Sequence, residues 1–577
     1  MGMRKSPTAL LLLGLEAAEA LAQLGATPSP FAYGDSSRAT AATIASLELF
    51  GSLKLGMFMH NGPVTQWGTE ISFPLVCGSF PCTVQGPGGV SLNITSTAEL
   101  RAHRLAYRAL ATTYNPSQFD PTHVAKTAAA AGFKYVVYTT VHCDGFANWP
   151  SNVTAYNIAN TPFGRDLFGE LAVALRKEGL LVGAYICPTL WNNDNFWSPD
   201  ALTALSARGA VRLPNGRTAR EVPTLLHRRP PDAGSYRKTL AMLQEYPTYS
   251  PLDQPARWQA YLQTLHGMAR ELANRYAPDL FWFDCHDSPP LMDTRLEAVL
   301  GAIRGANPSA LVLTRNGIFS DYTELVDQSE AQAKAILGEP SVRSATQFEI
   351  GTVLQASKQW SFDPKSGQKN VSDVLGNLMM IVAKGGNYLV NVAPGPDGRW
   401  APGAEAVLAR MAAWMEVNGE ALHGATPMDP FEADGAFFTS RPAASGGIAV
   451  YVLVPATAPS AQRAVASAPT PGRPTGARSV ARVDVSVSAT EVFAPPSPPL
   501  ASLVKIMLKG FRPALLSPNV KLLNAELLGA NGTVVTTLDD TGLTLNASAI
   551  VPSPLPATSP LSDGLVFKLS FAQVADS

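Results

Sequence analysis

The chain has 577 residues, a formal net charge of -1 and only 15% charged residues. That length exceeds one ordinary domain and fits a barrel of about 250 to 400 residues followed by a smaller module. The near-zero net charge argues against a basic nucleic-acid-binding surface and against an acidic interaction tail.

The first 25 residues predict a secretory signal peptide. Arg4 and Lys5 precede an apolar run over 9–15 and then small residues, although Glu16 and Glu19 directly follow that run. No other stretch approaches the length of a membrane span, so we expect no stable membrane insertion. Five glycosylation sequons agree with a glycoprotein of the secretory route, destined for the extracellular space or a lysosome- or vacuole-like compartment. They begin at Asn93, Asn152, Asn370, Asn531 and Asn546.

Apolar, strand-like runs alternate with amphipathic helices from residue 54 onward. The predicted strands run from Lys54 to His60, Lys134 to His142, Leu180 to Cys187, Asp279 to Asp284, Ala310 to Arg315 and Gly385 to Pro394. The predicted helices include Pro121 to Ala131, Leu167 to Glu178, Arg257 to Tyr276, Val371 to Lys384 and Ala404 to Glu416. This alternation requires a mainly parallel sheet. We therefore predict a (β/α)8-like TIM barrel over residues 40–425, with an insertion near 198–255 that is either a lid or a disordered segment.

The composition changes at about residue 426. Helical periodicity disappears, and strand-like runs such as Gly447 to Val454 and Leu503 to Leu508 are joined by connections rich in Pro and Ser. This pattern predicts a C-terminal β-sandwich domain over residues 426–577.

The cysteines suggest an oxidising compartment. The chain has five of them, and Cys77 and Cys82 bracket a short loop in a way that predicts a disulfide. Cys143, Cys187 and Cys285 each follow a strand-like run. We expect these three to be buried, unreactive thiols that meet near one end of the barrel.

The stretch from Asp279 to Asp287 is the most informative of the predicted strands. Pro278 ends the preceding helix, and the apolar run stops abruptly in polar residues. Side chains at the carboxyl end of a buried parallel strand project into the pocket on top of a barrel. Strand alternation puts Trp282 on the same face as Asp284. Asp284 is therefore predicted to be the working residue, although an Asp that merely caps the loop would give the same local pattern.

The predicted strand tips bring carboxylates, imidazoles and aromatic rings to one end of the barrel. The tip residues are His60, Glu70, His142, Tyr185, Trp191, Trp282, Asp284, Arg315, Glu349 and Trp360. Glycoside hydrolysis needs two such carboxyl groups, one that stays ionised and one whose pKa is raised so that it protonates the leaving oxygen. No phosphate-binding loop, dinucleotide fingerprint or nucleophile elbow occurs in its required context. A core role for His60 remains an alternative, although the Asn-Gly-Pro turn after it favours a strand end.

A metal site is the competing interpretation of these tips. Its candidate ligands are His142, Cys143, Asp144, Asp284, Cys285, His286 and Asp287. They show no recognised ligand spacing, and the chain has no CxxC pair of the kind that holds structural zinc. We therefore predict no bound metal.

The ordered motifs of the chain resemble those of the α-L-fucosidases, family 29 of the glycoside hydrolases. The motifs are Lys54-Leu-Gly-Met-Phe-Met-His60, His142-Cys-Asp-Gly-Phe146, Arg165-Asp166, Phe281-Trp-Phe-Asp284, Gly385-Gly-Asn-Tyr-Leu-Val-Asn391, Pro394-Gly-Pro-Asp-Gly398, Trp414 and Asn418-Gly-Glu420. The resemblance extends from about Lys54 through the C-terminal module. It implies a catalytic barrel with a C-terminal β-sandwich that removes terminal α-L-fucosyl residues through a covalent glycosyl-enzyme, with retention and without metal or cofactor.

The resemblance also implies roles for individual residues. Asp284 is the expected nucleophile, and Glu349 is the expected acid/base, with Glu324, Glu330 and Glu339 in the same region of the sequence. The expected fucose contacts are His60, Glu70, His142, Tyr185, Trp282 and Arg315. The expected partner is a fucosylated oligosaccharide or glycoconjugate.

The chain departs from the family at three positions. Asn61 stands where the family has Trp, Cys143 where it has a second His, and Cys285 where it has Gly. A thiol is a weaker hydrogen-bond partner than an imidazole, so these changes leave two alternatives open. One is a catalytically weak carbohydrate-binding pseudo-enzyme, and the other is an exo-glycosidase for α-galactosides. The sequence does not decide the fucosyl linkage or whether the chain forms a homo-oligomer.

Overall fold

The computed structural model describes residues 40–77, 80–197, 254–284, 294–315, 320–324, 347–433, 436–442, 448–456, 484–487, 505–509, 520–530, 534–539, 542–546 and 563–573. The chain divides into two compact units. The first consists of residues 1–129, 133–368 and 389–405, and the second of 130–132, 369–388 and 406–577. The domain boundaries drawn from the sequence, and the insertion near 198–255, stay predictions, because most of that insertion lies outside the described residues.

The elements up to residue 418 include all the strands and helices predicted from the sequence. They are α1 (Ala41–Leu53), β1 (Leu55–Met59), β2 (Cys82–Gln85), β3 (Ser91–Ile94), α2 (Thr97–Ala109), α3 (Pro121–Ala130), β4 (Tyr135–Val141), α4 (Leu167–Lys177), β5 (Leu181–Ile186), α5 (Pro255–Tyr276), β6 (Leu280–Phe283), α6 (Glu297–Ala306), β7 (Leu311–Thr314), β8 (Thr323–Glu324), β9 (Phe348–Val353), α7 (Val371–Ala383), β10 (Asn387–Asn391) and α8 (Ala404–Asn418). β2 and β3 form a separate antiparallel hairpin.

Eight of these strands form a nearly closed parallel barrel. Their order is β7-β6-β5-β4-β1-β10-β9-β8. The two ends of this sheet approach each other, because the backbone N–H of Asp321, just before β8, donates to the carbonyl of Val312 in β7 at 2.8 Å. β1, β4 and β6 are buried along their whole length, as expected for strands covered on both faces.

The helix α5 shows why the local predictions succeed. Its buried face includes Trp258, Leu262 and Leu265, which recur at three- and four-residue spacing. Pro255 occupies its first turn, where a missing N–H costs nothing. At its end Ala277 adopts a left-handed conformation with φ 42°. The next strand, β6, therefore starts where the sequence predicted.

The helix α2 was not predicted from the sequence. Ser96 caps it by accepting a hydrogen bond from the backbone N–H of Glu99. Its buried face carries His103, Arg104 and Tyr107 beside only one aliphatic residue. Polar residues therefore occupy the face that apolar periodicity would normally reveal.

The second unit contains α7, most of α8 and two antiparallel sheets. The strands are β11 (Thr426–Ala433), β12 (Ala436–Pro442), β13 (Ile448–Pro455), β14 (Asp484–Val487), β15 (Lys505–Lys509), β16 (Val520–Leu527), β17 (Val535–Asp539), β18 (Gly542–Asn546) and β19 (Gly564–Gln573). One sheet has the order β11-β12-β13-β19-β16 and the other the order β14-β15-β18-β17. The predicted fold class, a TIM-like barrel followed by a C-terminal antiparallel β domain, is confirmed. Within the part of the chain that the structure describes, no helix combines the length and apolar composition that crossing a membrane requires.

Candidate active site

Asp284 lies directly after β6, at the end of the barrel where the parallel strands finish. The Tyr185 hydroxyl donates to its Oδ2 at 2.5 Å, and the Arg315 guanidinium donates to its Oδ1 at 2.7 Å. Tyr185 comes from the neighbouring strand β5 and Arg315 follows β7. Both carboxylate oxygens are thus held by strong donors, and the adjacent cation favours the ionised form.

Aromatic rings form the floor next to this carboxylate. Trp282 stacks on Tyr185, with ring centroids 5.5 Å apart and planes 23° from parallel. Phe58 packs against Trp282 at 5.4 Å and against Tyr185 at 5.6 Å. The Arg315 guanidinium carbon lies 5.6 Å from the Trp282 ring centroid. The indole therefore supports two of the groups that surround Asp284.

His60 is held as a neutral imidazole that accepts at Nε2. Its Nδ1 lies 2.8 Å from the Oδ1 of Asn391, and the Nδ2 of Asn391 donates to the carbonyl of Trp360 at 2.7 Å. The second bond fixes the amide orientation, so the hydrogen-bond network assigns the proton to His60 Nδ1. Burial lowers the pKa of His60 to about 4, against the opposing effects of Asn391 and Asp284.

His142 is held in the opposite tautomer. Its Nδ1 lies 2.7 Å from the hydroxyl of Ser72, and that hydroxyl already accepts the backbone N–H of Asp144 at 2.7 Å. The buried hydroxyl of Ser72 needs an acceptor for its proton, and His142 Nδ1 is the one beside it. Nδ1 is therefore the unprotonated nitrogen, and Nε2 carries the ring proton as a donor. Burial, and then the neighbouring His60, lower the pKa of His142 to about 3. The two rings lie 5.7 Å apart, so together they present one acceptor and one donor side by side.

Glu70 anchors the segment that carries Trp360. Its Oε2 accepts the backbone N–H of Trp360 at 2.7 Å, and its Oε1 accepts those of Ile71 and Ser361 at 3.0 and 3.2 Å. Trp360 in turn lies 5.2 Å from the His60 ring. The structure therefore brings Glu70 to the site, where it orders the aromatic wall.

Glu349 lies beneath the floor of the site. Its Oε1 accepts the indole N–H of Trp282 at 3.0 Å, and its Oε2 accepts the hydroxyl of Tyr135 at 2.6 Å. The side chain has no exposed surface, and burial raises the pKa of Glu349 to about 7, although both hydrogen bonds oppose the shift. A raised pKa suits a general acid. The burial does not suit one, and the acid/base role stays a prediction.

Glu324 connects to the nucleophile candidate through a cation. Its Oε2 lies 3.3 Å from the Nε of Arg315, whose other end binds Asp284. One guanidinium thus joins two carboxylates, and its charge favours the ionised form of both. The alternatives Glu330 and Glu339 lie outside the described residues.

Two departures from the family pattern have a structural role. Asn61 is buried, and its Oδ1 accepts the Tyr114 hydroxyl at 3.0 Å and the Gly62 backbone N–H at 2.9 Å. Cys143 is bonded to Cys187. The third departure, at Cys285, lies outside the described residues.

The disulfide between Cys143 and Cys187 corrects the expectation of three free thiols. β4 and β5 are parallel neighbours, and these two cysteines follow their ends, so their Cα atoms lie 5.1 Å apart. The predicted disulfide between Cys77 and Cys82 is confirmed. A bonded cysteine is not a thiolate ligand, and the described residues contain no group of three or more potential metal ligands.

We expect the double variant Cys143→Ser/Cys187→Ser to be less stable and to bind substrate more weakly. The bond joins residues 44 apart in sequence, so its loss should lower the free energy of unfolding by about 2 to 4 kcal/mol. It also ties together the strand ends that carry His142 and Tyr185, so KM should rise more than kcat falls. Thermal unfolding and steady-state kinetics test both effects. The control is Cys77→Ser/Cys82→Ser, whose residues are only 5 apart, and equal KM values for the two double variants would contradict the positional role.

Ser72 and Asn391 are the site residues that sequence reasoning did not assign. Asn391 ends a strand within a quoted motif, so its position at a strand tip was a usable signal. Ser72 lies in a loop with a left-handed backbone, φ 65°, and no sequence pattern marks it. Its role depends on the loop bringing its hydroxyl to His142.

Comparison with known proteins shows the family of the chain. The family model described as alpha-L-fucosidase matches residues 27–420. The human tissue alpha-L-fucosidase is 26% identical over 402 residues, which cover 66% of this chain and 69% of the human protein. The bovine tissue alpha-L-fucosidase is 25% identical over 341 residues, 58% of this chain and 60% of the bovine protein.

Solved structures of α-L-fucosidases share the fold of this chain. An alpha-L-fucosidase isoenzyme 1 from Paenibacillus thiaminolyticus superimposes with a TM-score of 0.57 at 21% identity, covering 92% of this chain and 100% of that one. A Bacteroides thetaiotaomicron fucosidase trapped as a covalent intermediate gives a TM-score of 0.56 at 18% identity, with 92% and 96% covered. The Thermotoga maritima fucosidase in complex with fucose gives 0.54 at 18% identity, with 90% and 96% covered. Since the family model spans most of the chain and the fold agrees, the chain belongs to the α-L-fucosidase family of glycoside hydrolases.

Proposed function

We propose that the protein is an exo-acting, retaining α-L-fucosidase that hydrolyses terminal α-L-fucosyl residues of glycans. The observation that carries the proposal is Asp284, an aspartate at the carboxyl end of a barrel strand with both oxygens held by Tyr185 and Arg315. These donors keep the carboxylate oriented and ionised. That is the state from which a carboxylate attacks an anomeric carbon.

The reaction then takes two steps. A carboxylate oxygen of Asp284 bonds to the anomeric carbon while the bond to the leaving oxygen breaks and a general acid protonates that oxygen. In the second step the same group takes a proton from water, the water oxygen bonds to the anomeric carbon as the bond to Asp284 breaks, and fucose leaves with its original configuration. The Bacteroides relative trapped as a covalent intermediate supports this pathway.

The surrounding groups support fucose as the sugar. His60 and His142 offer an acceptor and a donor to neighbouring hydroxyls. Phe58 and Trp282 offer apolar surface that suits the C6 methyl group of fucose better than the hydroxymethyl group of a galactoside. The Thermotoga relative, solved with fucose, is consistent with this assignment.

The test is hydrolysis of 4-nitrophenyl α-L-fucoside and 4-nitrophenyl α-D-galactoside from pH 4 to pH 7.5. We expect turnover of the fucoside at least about 100-fold faster, because the α-D-galactoside has ring hydroxyls of mirror-image configuration as well as a hydroxyl at C6, so both the polar groups and the apolar floor are mismatched. Proton NMR of the first product should show α-fucose. Faster galactoside turnover would identify an α-galactosidase, and fucose binding without turnover would identify a carbohydrate-binding pseudo-enzyme.

We further propose that the protein follows the secretory route. Both disulfides in the described residues fit an oxidising compartment. The sequon residues Asn93, Asn152 and Asn370 are exposed, as N-glycosylation requires. Treatment of the secreted protein with an N-glycosidase should lower its apparent mass.

A further inference from the structure

The base of the barrel encloses Glu349 from below. Its partner Tyr135 lies 5.1 Å, ring to ring, from Phe50 of helix α1. The Tyr135 ring occupies the space above Gly56, where an added Cβ would come within 2.2 Å of it. Glycine at position 56 is therefore what allows the tyrosine to reach the carboxyl group. Glu349 is the second residue of β9, so it lies near the start of its strand, away from the strand ends that carry Asp284 and His60.

The floor of the site encloses Glu349 from above. Trp282 is 4% exposed, and its indole N–H points down to the Oε1 of Glu349. Phe58 and Tyr185 pack around the same indole. A group that protonates a leaving oxygen must come within hydrogen-bond distance of it. Glu349 has no surface exposed to the pocket, and the indole lies between them.

We infer that Glu349 is a positioning residue that orients Trp282, and that another carboxyl group supplies the proton of the reaction. The inference rests on the proposed fucosidase function. Without Glu349, the indole N–H would be a buried donor with no partner, so the ring would tilt or admit water. Tyr185 stacks on that ring and donates a hydrogen bond to Asp284. A tilt of the indole would therefore change the position of Asp284 through one intermediate side chain.

Two substitutions at this position separate positioning from proton transfer. In Glu349→Gln the amide oxygen can still accept the indole N–H, and the amide N–H can donate to the Tyr135 hydroxyl oxygen, but no proton can be given up. We expect this variant to keep kcat/KM within about threefold of wild type. Glu349→Leu removes both bonds, and we expect it to lose about tenfold to 100-fold through misplacement of the floor.

The dependence on the leaving group is the decisive measurement. kcat/KM is measured with 2-chloro-4-nitrophenyl α-L-fucoside, which needs no acid, and with methyl α-L-fucoside, which does. Positioning predicts that each variant loses the same factor on both substrates and that azide produces no fucosyl azide. A general acid would instead lose about 100-fold or more only on the methyl fucoside in Glu349→Gln. Azide would then yield α-L-fucosyl azide, and either result would overturn the inference.

Further variants keep the inference testable in every case. Trp282→Phe removes the indole N–H, so adding Glu349→Leu to it should cost much less than the tenfold to 100-fold that Glu349→Leu costs alone, and additive losses would contradict the coupling. Tyr135→Phe is the matched control, since it removes the other bond to Glu349 and leaves the indole bond. If Glu349→Leu does not fold, Glu349→Gln and Trp282→Phe decide between positioning and proton transfer.

An inactive wild type would refute the proposed function separately. The variants would then be compared by calorimetric binding of fucose, with weaker binding expected for Glu349→Leu and unchanged binding for Glu349→Gln.

Discussion

Asp284→Gly is expected to reduce kcat/KM for aryl α-L-fucosides by about 10⁴-fold or more, and added azide is expected to restore part of the lost activity. The substitution removes the attacking oxygen but leaves Tyr185 and Arg315 in place beside an empty volume. A small anion can occupy that volume and attack the anomeric carbon from the same side as the missing carboxylate. The product should therefore be β-L-fucosyl azide, identified by NMR.

The control for this variant is Asp279→Asn, at the other end of strand β6. The Oδ2 of Asp279 accepts the backbone N–H of Val182 at 2.9 Å, and its Oδ1 accepts the Asn307 amide. We expect this change to affect stability and to leave kcat/KM near the wild-type value. An Asp284→Gly variant that keeps more than a few per cent of wild-type activity would exclude Asp284 as the nucleophile. A product of α configuration would show that azide attacks from the opposite face.

The sequence predicted what depends on local patterns. An apolar run that stops in polar residues predicts both a buried strand and which residue lies at its tip, so Asp284, His142 and Arg315 could be placed at one end of the barrel without knowing the neighbours. The β strands of a parallel barrel all point the same way, and their tips therefore meet. The strand order and the partners of each tip required the structure.

Register and depth were harder to predict. The bond between Cys143 and Cys187 depends on a register shift between Thr139 and Val141, where β4 pairs with β5. A single sequence does not show such a shift. Glu349 lies deeper than a strand tip, because it is the second residue of the strand Phe348–Val353 and most of that strand follows it. A residue that precedes most of its strand lies near the base of a barrel, however suitable its chemistry.

The second large effect is expected from Arg315→Met, which should lower kcat/KM by about 10² to 10³-fold. Its guanidinium donates to Asp284 at 2.7 Å and lies 3.3 Å from Glu324, so the variant leaves two neighbouring carboxylates with no cation between them. Without the cation, the negative charge of Glu324 disfavours the ionised form of Asp284. The ascending limb of the pH–activity profile should therefore move to higher pH, because the nucleophile must lose its proton against a neighbouring negative charge.

Two comparisons make the Arg315 prediction specific to the geometry of the guanidinium. Arg315→Lys keeps the charge but has no planar fork, so it should recover only part of the loss. Arg304→Met is the matched control, because Arg304 is buried to a similar degree, 15% against 13% exposed, and pairs with Asp321 at 2.8 Å away from the site. We expect Arg304→Met to lower the melting temperature with little change in kcat/KM. Equal losses of kcat/KM in the two methionine variants would mean that Arg315 acts through stability alone. A loss of kcat/KM in Arg315→Met but not in Arg304→Met would show that one cation holds the nucleophile in its reactive state.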